Sequence, residues 1–131
     1  MRRPRLPDPA ALARFYQALL GGEINRPDRW TLDADWMTLH PPGGPVLAFQ
    51  RAADHRPPRW PDPDHPQQLH LDLGVSGGRG VPFATRKERV LAEVARLESA
   101  GATRSCLADA EDSGSFSVLM RDPEGNEFCV H

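Results

Sequence analysis

Polar and apolar residues alternate most regularly between Gln67 and Val75, where Leu69, Leu71 and Leu73 take turns with Gln68, His70 and Asp72. A period of two predicts a strand with the leucines on a core face and the three polar side chains on a ligand face. Earlier, Leu12, Phe15, Tyr16 and Leu19 recur at helical spacing, which gives one apolar stripe suited to covering a sheet. Both ends of that helix are signalled: Asp8 accepts bonds from free first-turn amides, Pro9 suits the first helical position, and Gly21-Gly22 ends the last turn.

Three strand-like runs follow, Arg29 to Leu32, Trp36 to His40 and Pro45 to Arg51, with Pro41-Pro42-Gly43-Gly44 turning between the last two. Residues 52–66 carry five prolines around Trp60, too many for a helix or a central strand, so they predict a linker. Trp60 is either a lid over a pocket or a pin that fastens the linker. The second half repeats the plan of the first. After the leucine strand, Thr85 and Glu88 have capping-box spacing, Val90, Val94 and Leu97 mark a buried helical face, and Gly101 ends the helix. Thr103 to Leu107, Ser115 to Arg121 and Asn126 to His131 read as strands, with Asp122-Pro-Glu-Gly-Asn126 turning before the last. Each half reads strand, helix, three strands, a repeat of architecture with little identity.

Composition narrows the class of partner. A 131-residue chain is expected to form one domain with a core of its own. A net charge of −2 offers no basic field for nucleic acid or an acidic membrane, and Arg2, Arg3 and Arg5 read as a solvated terminus. There is no apolar run near 18 residues and no secretory leader pattern. Cys106 and Cys129 are too few for a disulfide framework, so a cytoplasmic protein is expected. No P-loop, dinucleotide glycine motif, HExxH pair or GxSxG elbow is present, and the loop Gly74 to Gly80 lacks phosphate-loop spacing. Asp109 to Asp112 reads as a solvated acidic run, and His55 and His65 as surface residues.

The two units, opened by Asp8-Pro-Ala-Ala-Leu-Ala-Arg-Phe-Tyr-Gln-Ala-Leu-Leu-Gly21 and Gln68-Leu-His-Leu-Asp-Leu73 and closed by Asp122-Pro-Glu-Gly-Asn-Glu-Phe-Cys-Val130, resemble the vicinal oxygen chelate superfamily. Within it they are similar to the glyoxalase-like domains grouped with glyoxalase I, bleomycin resistance proteins and extradiol dioxygenases. The resemblance covers nearly the whole chain. It implies an α+β fold of two βαβββ modules, 1–52 and 67–131 joined by linker 53–66, whose sheets form a cup. It also implies a homodimer, and either a divalent metal (zinc, nickel, manganese or iron) in the cup or a metal-free pocket that sequesters a small molecule.

Carried over residue by residue, the resemblance puts a histidine ligand at His70 and a carboxylate ligand where this chain has Cys129. Another carboxylate position falls near Gln50, and the fourth lies in Arg2 to Pro7, which has no ligand-type residue. A metal set of His70, Gln50 and Cys129 is neutral while the thiol keeps its proton. Cys129 is either a thiolate ligand for a soft metal or a small buried hydrophobe. The chain therefore reads first as a binder of a small apolar or aromatic molecule, with Trp36, Thr38, His40, Gln50, Gln68, His70 and Asp72 lining the pocket. The alternative is an enzyme, a metal-dependent lyase, isomerase or dioxygenase, or an acid-base catalyst using His70 and Asp72. A third reading, an accessory domain acting through protein contacts, has no specific support.

Overall fold

The computed structural model describes residues 8–25, 36–110 and 114–131. The chain divides into two compact units, Met1–Arg56 and Pro57–His131.

In the first unit, helix α1 (Pro9–Leu20) begins where Asp8 accepts hydrogen bonds from the amides of Ala10 (3.0 Å) and Ala11 (3.2 Å). Ala13, Phe15 and Tyr16 form its buried face, and Tyr16 stacks on Phe49 at 5.5 Å between ring centroids. The helix packs on a three-stranded antiparallel sheet of β1 (Glu23–Ile24), β2 (Trp36–His40) and β3 (Leu47–Gln50), in the order β1-β2-β3. Gly22 makes the tight exit from α1 possible. Its φ is +97°, and a Cβ there would stand 2.1 Å from the His40 carbonyl oxygen, so only glycine fits. The expected strand ahead of α1 and the run Arg29 to Leu32 lie outside the described residues. Strand β1 is too short to leave a periodic signal in the sequence.

The second unit is β4 (Leu71–Leu73), α2 (Phe83–Ser99), β5 (Thr103–Ala110), β6 (Ser115–Arg121) and β7 (Glu127–Val130), a βαβββ order. Its mixed sheet runs β4-β7-β6-β5, with β4 parallel to β7 and the other pairs antiparallel. Val90, Val94 and Leu97 of α2 are fully buried, as are Val118, Met120, Phe128 and Val130 of the sheet. Each such side chain contributes about 1.5–3 kcal/mol of burial. The turn before β7 is built by Asp122, itself buried. Its Oδ1 accepts from the amides of Glu124 and Asn126 and its Oδ2 from the Asn126 side chain, all at 2.9 Å. That network is the physical content of the Asp-Pro-Glu-Gly-Asn run.

Three expectations are corrected. Helix α2 starts at Phe83, two residues before Thr85, and its N-cap is Pro82 with no side-chain cap bond; proline's fixed φ sets the entry instead of a capping box. Strand β4 is three residues long, because the ladder to β7 begins only at Leu71 opposite Phe128. Leu69 is consequently fully exposed and Leu71 37% exposed, with only Leu73 partly covered. Alternation placed the leucines on one face but not under a cover. Among the described residues no helix is long and apolar enough to cross a membrane.

Candidate functional site

The site is written in the register of two strands that are distant in sequence. In β7, Phe128 and Val130 are fully buried, so Cys129 between them points to the opposite face of the sheet. In β4, Asp72 lies directly across from Cys129. His70, just ahead of β4, turns its Nε2 to 3.4 Å from Asp72 Oδ1, while its Nδ1 lies 3.4 Å from the Gln68 carbonyl. One nitrogen, one oxygen and one sulfur, from His70, Asp72 and Cys129, thus come within 4.8 Å of one another.

Burial sets the protonation of the sulfur. Withdrawal from water pushes the Cys129 thiol above its ordinary range, and the neighbouring Asp72 carboxylate, by charge and by hydrogen bond, pushes it further, with smaller effects from Cys106 and Glu127. The thiol therefore keeps its proton at neutral pH. A bound cation would reverse that preference, since a coordinating thiol is deprotonated. The donor chemistry fits a borderline or soft divalent ion. Ligands of a tetrahedral zinc stand about 3.3–3.8 Å apart, as its bond lengths of roughly 2.0–2.3 Å require, so small side-chain movements within the 4.8 Å cluster would suffice.

The sequence-derived set is thus partly redistributed. His70 and Cys129 do come together, and Asp72 joins them as the carboxylate, a pairing visible only once β4 and β7 lie side by side. Gln68 is exposed and lies ahead of β4, offering its main-chain carbonyl to His70. Gln50 belongs to the first unit, in β3 opposite Trp36. Trp36 and Gln50 are exposed there, while Thr38 is buried, with its hydroxyl 3.3 Å from His40 Nε2. Asn25, which sequence reading passed over, holds the Thr38 amide at 3.0 Å from a left-handed backbone position.

Glu127 shares the Cys129 face but is otherwise engaged. It is 3% exposed, and both its carboxylate oxygens accept the Trp60 amide, at 3.1 and 3.3 Å. The main chain at Trp60 is thereby pinned to β7, while the indole stands half-exposed. His65, in the same proline-rich segment, pairs with Asp62 at 2.9 Å.

With the fold in view, the model of the glyoxalase-like domain matches residues 4–131. The chain belongs to the glyoxalase-like domain family. Solved structures share the fold of this glyoxalase-like domain, that of the vicinal oxygen chelate superfamily. A glyoxalase/bleomycin resistance protein/dioxygenase family enzyme from Burkholderia phytofirmans is 19% identical with a TM-score of 0.61, covering 94% of this chain and 88% of that one. A lactoylglutathione lyase from Agrobacterium tumefaciens is 20% identical with a TM-score of 0.55, covering 94% and 84%. An antibiotic binding protein from a Streptomyces species is 18% identical with a TM-score of 0.53, covering 100% and 97%. No curated protein sequence matches this one.

Proposed function

We propose that this glyoxalase-like domain binds a small apolar or aromatic molecule, with His70, Asp72 and Cys129 as the polar anchor on the open face of the β4–β7 pair. The convergence of the three side chains within 4.8 Å carries the reading. A titratable imidazole, a carboxylate and a protonated thiol offer a donor, an acceptor and a soft apolar contact in one place. Trp36, Thr38, His40, Gln50 and Gln68 remain proposed ligand contacts, and a cytoplasmic homodimer the proposed form of the protein. The fold admits both binding and catalysis: one neighbour is named as an antibiotic binder and another as a lyase. The test is a thermal-shift panel of aromatic and apolar metabolites and antibiotics. Ligands that raise the Tm of the wild-type protein should lose that effect in His70→Ala. If no compound stabilises the wild-type protein, the binding reading fails.

The donor set favours one further reading, a metal-dependent lyase, isomerase or dioxygenase in which His70, Asp72 and Cys129 hold zinc or a similar ion. Asp72 supplies the carboxylate that the Cys129 position lacks. Such an ion, when bound, polarises oxygen atoms of a substrate as a Lewis acid. The chain's own contributions are the His70 lone pair, the Asp72 charge and the Cys129 sulfur. On this reading zinc raises Tm where magnesium does not, and Asp72→Asn and Cys129→Ala each remove the effect. Protein purified without chelator that contains no metal, and no zinc-dependent rise in Tm, would exclude it.

A further inference from the structure

The Pro57–His131 unit also holds a recess of different chemistry. Its volume is about 210 Å³, it is open to solvent, and among the described residues it is lined by Ser76, Arg79, Arg86, Ser115, Phe116 and His131, with no carboxylate side chain. At about 30 Å³ per water it holds several waters, room for a four-oxygen anion.

Among the described residues neither of its arginines has a carboxylate partner, for two different reasons. Arg86 is fixed by main-chain carbonyls, Nε to Val81 at 3.0 Å and Nη1 to Gly114 at 2.7 Å, and it lies over the Phe83 ring. These contacts immobilise the guanidinium without neutralising it, and Nη2 has no protein partner among the described residues. Arg79 forms no ion pair or hydrogen bond with any described residue. Asp109, on β5, is already taken by Lys87 at 2.6 Å. The loop that carries Ser76 is itself held, its carbonyl accepting Arg89 Nη1 at 3.0 Å. The main-chain oxygen of His131, the last residue, accepts the amides of Val75 (2.7 Å) and Ser76 (3.3 Å). Two planar cations and two hydroxyl donors around a small recess match the donor needs of an oxyanion.

We propose that this cavity binds the phosphate group of a small molecule, with Arg79 and Arg86 as the cationic contacts and Ser76 and Ser115 as hydroxyl donors. The site does not depend on what the His70–Asp72–Cys129 cluster binds.

The test is amide NMR of the full chain titrated with inorganic phosphate at constant ionic strength, with acetate and chloride in parallel. Saturable shifts centred on Gly78, Arg79 and Ser115, with chloride inert, are expected. Arg79→Gln, which breaks no described contact, should weaken phosphate binding about tenfold or more without lowering Tm. Acetate saturating more tightly than phosphate would overturn the phosphate assignment in favour of a carboxylate. Equal shifts with chloride, shifts centred elsewhere, or unchanged affinity in Arg79→Gln would overturn the site.

Discussion

The protonation of Cys129 is the property of the site most open to a quantitative check. The perturbation is Asp72→Asn in a Cys106→Ser background, which leaves Cys129 as the single thiol; Cys106 is exposed on β5 and is replaced without a packing cost. A carboxylate charge within 4.8 Å of the sulfur is worth about 0.9 kcal/mol in a water-like dielectric, and more as burial lowers the effective dielectric. The water-like value is the safe bound, because the Asp72 side chain is 59% exposed. Removing that charge favours the thiolate, so the midpoint of reactivity should fall, and an interaction of that size corresponds to a rise of roughly fourfold in the thiolate population below it. Burial, the larger cause, is untouched, so the midpoint stays above the ordinary thiol value of 9.0. The assay is the rate of alkylation by iodoacetamide as a function of pH, with Tm measured beside it to show that the variant is folded. An unchanged or slower rate in a folded Asp72→Asn protein would refute the argument. The sign for stability follows. A thiol whose folded pKa is raised contributes fully below its unfolded pKa, and that contribution is lost as pH rises toward the folded value.

Other outcomes are equally specific. Asp122→Ala removes three 2.9 Å hydrogen bonds to a buried carboxylate and should cost about 2–4 kcal/mol in urea denaturation, with Asp122→Asn costing less because it keeps one acceptor oxygen. Glu127→Ala strands the Trp60 amide and should speed limited proteolysis within residues 57–66, whereas Glu127→Gln should largely preserve protection. Gly22→Ala places a Cβ against the His40 carbonyl in a left-handed conformation and should lower stability by about 2 kcal/mol or more, read from Tm. His70→Ala, at a partly exposed position, should change Tm little while abolishing ligand- or zinc-induced stabilisation.

Much of the fold was legible because it rests on local rules. Asp8-Pro9 and Gly21 bracket α1, Trp36 to His40 and Ser115 to Arg121 are strands with those bounds, and the Asp122 turn is specified by the side chain that bonds its own following amides. Where the chain departs from expectation, a non-local partner or a steric detail intervened. The start of α2 follows Pro82 and not the Thr85 spacing, and β1 exists only because its two residues pair with Leu39 and His40.

The sequence by itself determined which side chains share a face: His70 with Asp72, Cys129 with Glu127, and Phe128 with Val130 in the core. Only the tertiary structure decided which of those faces meet and which are covered. Parallel pairing of β4 with β7 joins segments more than fifty residues apart and sets Asp72 against Cys129, a register that no local pattern contains. Cover is likewise a property of neighbours, and so Glu127, a charged residue, is buried beneath the Trp60 amide while Leu69, an apolar one, stands in solvent.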